Sequence, residues 1–181
     1  MSWTIIETAS FNPLEESQIQ GNADEICLYF ISKNKWTNEA VAAMLGNLEV
    51  ESYLNPAQYE AGYDYSLSHG FGLAQWTPAT KYQNWAAEHG YTNNDPNGQM
   101  LWLNTMPNGE WFKSTDNYLP FDEFKMSKLD PSYLARVWSD SFERPLNYDN
   151  RKSEQAKYWY NYITGKTFNK KFPIYFYLKR R

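Results

Sequence analysis

The segment that most limits what this chain can build runs from Thr37 to Pro56. Val41, Met44, Leu45 and Leu48 recur at i, i+3, i+4 and i+7, which places one apolar stripe on an α-helix. Thr37 is an N-cap residue just ahead of the stripe, and Asn55-Pro56 closes it. Proline lacks an amide hydrogen, and its ring collides with the preceding helical turn. Straight after the helix the chain changes character. Tyr and Gly crowd residues 57–76, Glu60 and Asp64 lie among them, and the segment closes on Gly70-Phe71-Gly72-Leu73-Ala74-Gln75-Trp76. Short strands with glycine turns are expected there, as a small β-hairpin or three-stranded sheet beside the helix.

Other helices follow from capping signals. Asn22 followed by Glu25 offers a capping box, and Ile26, Tyr29 and Phe30 continue at helical spacing, which predicts a helix over about 23–33. Thr77-Pro78, Asp95-Pro96 and Asp130-Pro131 each put a capping residue before a proline at the first helical position. Helices over about 78–88, 96–107, 131–142 and 151–163 are expected, with a short turn at Phe121–Met126. The fold class expected is α+β, mostly helical with the small β element beside the central helix. Residues 1–19 read as an N-terminal extension broken at Asn12-Pro13, 20–165 as one domain, and 166–181 as a basic and aromatic tail. Lys170, Lys171, Lys179, Arg180 and Arg181 lie in that tail, as does the run Phe172 to Leu178.

Composition narrows the function. A formal charge of −4 argues against nucleic acid as a partner. No apolar run is long enough to span a bilayer, and the N-terminus shows no signal-peptide pattern. Cys27 is the lone cysteine, so no internal disulfide or structural zinc site is expected, and a cysteine peptidase would have to draw on His69 or His89. No metal or cofactor is called for. Aromatic residues make up 18% of the chain, which suits either a ring-rich core or a groove lined by flat amphipathic rings.

The chemistry-bearing candidates cluster around the helix end. Glu49 and Glu51 point roughly 160° apart on a helix, so at most one faces a cleft, and helical geometry alone does not choose between them. A carboxylate in a last helical turn sits at the negative end of the helix dipole, which favours a protonated general acid, and aromatic neighbours would add to this. Glu60 and Asp64 are candidates for a second carboxylate in glycoside chemistry. Gly70 and Gly72 permit close backbone approach to a ligand. Gln75 suits a sugar hydroxyl or N-acetyl group, and Trp76 and Tyr82 suit stacking on sugar faces.

Three blocks carry a family resemblance. Gly46-Asn47-Leu48-Glu49-Val50-Glu51-Ser52-Tyr53-Leu54-Asn55-Pro56 resembles the GN-x-x-x-ES-x-x-NP segment of the phage tail lysozymes. Gly70-Phe71-Gly72-Leu73-Ala74-Gln75-Trp76-Thr77-Pro78-Ala79 is similar to their GFGL-x-QWTPA block. Phe142-Glu143-Arg144-Pro145 resembles their YERP block, with Phe in place of Tyr, and Trp36-Thr37 matches upstream.

The resemblance implies a lysozyme-like fold and hydrolysis of the β-1,4 bond between N-acetylmuramic acid and N-acetylglucosamine. It assigns the acid to Glu51, leaves Glu49 at a variable position, and carries over neither Glu60 nor Asp64. Glu143 and Arg144 then read as a structural pair anchoring helices around the site. Peptidoglycan glycan strands, and other phage tail proteins, are the implied partners. The implied place of action is the bacterial wall, reached from a virion tail tip or by release on lysis. A lytic transglycosylase using the same Glu, and a non-catalytic wall-binding or tail structural module, are the alternatives.

Overall fold

The computed structural model describes residues 2–10, 14–114, 116–166 and 168. The tail from Lys170 to Arg181, with its basic and aromatic runs, lies outside them. Seven α-helices are present among the described residues: α1 Glu16–Cys27, α2 Asn38–Ser52, α3 Thr80–Glu88, α4 Pro96–Thr105, α5 Phe121–Met126, α6 Pro131–Trp138 and α7 Arg151–Thr164. α1 runs on into a π-helical turn at Leu28–Lys33, and α6 into another at Ser139–Glu143.

α2 is the axle of the molecule. Its expected stripe of Val41, Met44, Leu45 and Leu48 is fully buried, and so are Ala40, Ala42 and Ala43 on its other faces. A helix covered on all sides is one around which the others pack. α7 makes the most extensive contact with α2, followed by α6. Small residues permit the close approach: a Cβ on Gly46 would lie 2.5 Å from the backbone nitrogen of Ala156 and 2.6 Å from the carbonyl oxygen of Lys152. Buried Asn47 ties α2 to α6 by donating to the carbonyl of Ala135 at 3.2 Å.

Capping follows the sequence at several ends. Thr37 accepts from the amide of Ala40, Asp95 from Asn97, and Asp130 from Ser132 and Tyr133. α1 differs. It starts seven residues before the expected start at 23, on a reciprocal cap between Glu15 and Gln18. Asn22 is buried and spends its side chain on Thr4 and on the carbonyl of Leu54. α3 starts at Thr80, so Pro78 is not its first residue. α2 ends at Ser52, where Tyr53 and Leu54 both adopt left-handed backbone (φ 54° and 57°).

The expected β element is not there, and the fold class is corrected accordingly: the described residues are helical, without a strand, hairpin or sheet. Residues 57–76 hold only isolated bridges, Thr8 to Gln58, Tyr59 to Phe71 and Phe71 to Trp76. The reason is local. Gly62, Tyr65, Gly72 and Gln75 all have positive φ, which turns the chain before a ladder can lengthen. Backbone groups are satisfied by side chains instead. Gln99 accepts from the amide of Leu73 and donates to the carbonyls of Pro56 and Asn93, and Gln75 donates to the carbonyls of Gln58 and Gly72. Most aromatic rings serve the core: Trp102, Trp138 and Trp159 are fully buried. Among the described residues no helix is long and apolar enough to cross a membrane.

The contact at Gly46 sets a test. Alanine has the higher helix propensity by about 1 kcal/mol, yet Gly46→Ala is expected to destabilise by about 2 kcal/mol or more through overpacking against the α7 backbone. Urea unfolding measures it, and an unchanged or higher midpoint would contradict the packing described.

Candidate active site

Glu51 lies in the last turn of α2 at the meeting point of two hollows. One, of about 290 Å³, has Glu51, Trp76, Phe142 and Glu143 among its walls. The other, of about 360 Å³, lies against Glu60, Ala61 and Gly70. Glu51, Gln75 and Thr77 line both, so together they form one groove with Glu51 near its middle. The helix end is pinned to the groove wall by Ser52, whose hydroxyl donates to the carbonyls of Leu48 and Leu73 at 3.0 and 2.8 Å.

The two carboxylates that helical geometry left tied are now in different places. Glu49 turns toward α7, where its Oε2 accepts from the indole of Trp159 at 2.7 Å. Burial pushes its carboxyl above the ordinary range, with the Trp159 bond acting against this. Glu51 faces the groove. What touches its carboxylate is Lys152, whose Nζ sits 2.6 Å from Oε1.

Lys152 was not among the expected site residues, and it organises this end of the groove. It sits in the first turn of α7 with its side chain 4% exposed, between Glu51 and a second carboxylate, Glu143 Oε2. Burial acts against the ammonium, but Glu143 and then Glu51 outweigh it, and its pKa lies above the ordinary lysine range. Glu143, at the end of the turn after α6, is pushed up to about 7 by burial, opposed first by Lys152 and reinforced by Glu51. Its partner is therefore Lys152 and not Arg144. Arg144, in left-handed backbone (φ 56°), stacks its guanidinium over Phe112 at 3.9 Å and lines the groove. Sequence offered one signal for Lys152. It heads the buried face of α7 that Ala156, Trp159 and Ile163 continue, a helical spacing in which a lysine is out of place.

The remaining candidates divide between groove and scaffold. Glu60 lines the second hollow and accepts from the amide of Gly70 at 2.8 Å, with His69 at 3.8 Å. Asp64 is exposed on the turn-rich loop and is absent from both hollows. Gly72 is a packing requirement: at φ 75°, a Cβ would fall 2.8 Å from Gln99 Oε1. Gln75 lines the groove with its amide donor committed to the loop. Trp76 is 6% exposed and stacks on fully buried Tyr82 at 4.5 Å; of this pair Trp76 lines the groove and Tyr82 does not. Glu110, unforeseen in the sequence, is a buried groove carboxylate paired with the more exposed Lys81. Cys27 is fully buried, and burial, helped by Asp24, raises its thiol pKa far above the ordinary value. That leaves it no nucleophilic use.

The groove, its Glu at a helix end and the blocks that build it belong to a recognisable class. Residues 21–163 match the family model of the phage tail lysozymes, and the chain belongs to that family. Among its relatives is "Morphogenesis protein 1" of Bacillus phage B103, 36% identical over 157 residues. The alignment takes in 84% of this chain and 42% of the relative, so the chain spans less than half of that protein's length.

The triad has a pH signature. The folded-state pKa of Glu143 lies above its ordinary value of 4.5. Its proton therefore contributes stability that is complete below the ordinary glutamate range and is lost as pH rises through about 7. Melting temperature should fall over that window, and less steeply in Glu143→Gln. Lys152→Met, which strands two carboxylates, is expected to cost about 3–5 kcal/mol, with the larger loss at pH 8 and a smaller one at pH 5. Denaturant unfolding at the two pH values checks this.

Proposed function

We propose that this chain cleaves peptidoglycan as a muramidase, cutting the β-1,4 bond between N-acetylmuramic acid and N-acetylglucosamine with Glu51 as general acid. The observation that carries the reading is the position of Glu51: a carboxylate at the junction of two hollows, held by a bond to a fixed cation, with groove on either side for a glycan strand. Membership of the phage tail lysozymes supports a wall-degrading role.

In this mechanism Glu51 protonates the glycosidic oxygen, positive charge develops on the muramic acid ring, and water attacks the anomeric carbon. Glu60, which shares the second hollow with Glu51, is the better placed of the two expected partner carboxylates, and Asp64 is the poorer. Gln75 offers its carbonyl oxygen and Trp76 its ring to the sugars, while Gly72 and Tyr82 hold the wall behind them. The phage relative's name speaks of morphogenesis, which fits a lysin carried on the virion, at the tail tip, beside other tail proteins.

Clearing of purified peptidoglycan tests the assignment. Glu51→Gln should lower the rate by about 10²–10⁴-fold with the fold retained. Glu49→Gln, whose amide oxygen still accepts from Trp159, should stay near wild type. Equal clearing by Glu51→Gln and wild type would take the catalytic role away from Glu51, and no clearing by either would point to a non-catalytic wall-binding module. Mass spectrometry of the products decides the reaction: reducing ends support hydrolysis, and anhydro-muramic ends would establish a lytic transglycosylase instead.

A further inference from the structure

Glu51 must hold a proton to act as an acid, yet the group bonded to its carboxylate is an ammonium. Glu51 does lie at the expected helix end, but the group bonded to its carboxylate is Lys152 and not an aromatic ring. We infer that Glu143 stores the proton that Glu51 delivers to the substrate, and that Lys152 passes it between them. This rests on Glu51 being the acid of the proposed muramidase.

Three observations carry the inference. First, the groups form a line: Lys152 Nζ bonds Glu51 Oε1 on one side and Glu143 Oε2 on the other. Second, the two ends of that line differ in exposure: the Glu143 and Lys152 side chains are 8% and 4% exposed, and that of Glu51 at the groove is 28% exposed. The store is dry and the delivery end is wet. Third, Glu143 Oε1 is buried and finds no donor among the described residues, which a neutral carboxyl tolerates far better than a carboxylate does. Two carboxylates with one ammonium carry a net negative charge, and one added proton makes the triad neutral.

The surroundings leave few other charges to set this proton. Lys152 reaches Glu143 from α7, Glu51 from α2 and Tyr148 from the loop before α7, while Ser139 donates to Oε2 at 3.3 Å. Arg144, on the same turn, lies over Phe112, and Lys81 and Glu110 pair with each other across the groove. The burial-raised pKa of Glu143 agrees with a stored proton near neutrality.

The transfer balances. Lys152 Nζ first gives a proton to Glu51 Oε1, breaking one N–H bond and forming one O–H bond; the neutral amine then turns its freed lone pair toward Glu143 and takes the proton of that carboxyl, breaking one O–H bond and forming one N–H bond. The ammonium is restored, Glu143 becomes the carboxylate, and Glu51 becomes the acid. Glu51 then gives the proton to the glycosidic oxygen. The attacking water supplies hydroxide to the anomeric carbon, and its remaining proton returns through Glu51 to Glu143.

Rate profiles on purified peptidoglycan from pH 4.5 to 8.5 test the relay. In Glu143→Gln the alkaline limb should move at least about one unit lower, a tenfold or greater loss at pH 7 with much of the rate kept at pH 5. A uniform loss with the limb unmoved would reduce Glu143 to a structural residue and overturn the relay. Lys152→Arg keeps a cation between both carboxylates but does not give up its proton. It should fold, by near-UV circular dichroism, and turn over at least about tenfold more slowly; full activity would overturn the relay. Where Glu143→Gln fails to fold, Glu143→Asp is read by the same displacement of the limb. An active Glu51→Gln would sink the parent reading, whereas an inactive one beside unaltered Glu143→Gln and Lys152→Arg profiles would sink the relay alone.

Discussion

A lysine ammonium survives in a protein interior only where opposite charge meets it, and Lys152 is met from two sides. Glu51 comes from α2, Glu143 from the turn after α6, and Lys152 itself from α7. One cation therefore joins the three helices that also share the largest packing contacts in the molecule. The electrostatic and the steric arrangement reinforce each other. α7 can bring its lysine to the end of α2 because Gly46 lets the two backbones nearly touch, and the ion pairs then fix the register in which they do so.

The opposite wall of the groove is built without regular structure. Its backbone would ordinarily need a ladder partner, and side-chain amides supply one. Gln99 serves three separate backbone groups, and Gln75 two. The segment that carries Gly70 to Trp76 is thus as tightly specified as a strand would be, while its positive-φ residues place Gln75 and Thr77 at the junction of the two hollows.

Much of the helical frame was legible. The α2 stripe, the caps at Thr37, Asp95 and Asp130, and helices near their expected spans all follow from periodicity and local hydrogen bonding, which act over a few residues. The β element does not form although Tyr63, Tyr65 and Leu67 alternate with polar residues: tyrosine and glycine suit a pleated strand and a tight-turned loop alike, and the positive φ at Gly62, Tyr65, Gly72 and Gln75 breaks the extended run. The Asn22 cap failed for a related reason: the same side chain that caps a helix also binds a distant carbonyl, here that of Leu54. Glu51 emerged from motif order, not from geometry. Glu110 stayed hidden because what distinguishes it is burial opposite a charge far along the chain; Lys152 left only the helical spacing it shares with Ala156, Trp159 and Ile163, which does not name the carboxylates that meet it. A cation in the first turn of a helix is also disfavoured by the helix dipole, which leads a local reading away from Lys152.

The near contact at Gly46 bears on how sequences of this kind can drift. Where two helices are separated by side chains, every substitution in the core resets their spacing and with it the geometry of whatever they hold. Here main chain meets main chain beside the site, so the gap has a hard stop. Leu, Met and Val on the other faces of α2 can be exchanged for one another while the distance from Glu51 to Lys152 stays the same. The Glu51 end of the groove is insulated from the ordinary turnover of its own hydrophobic core.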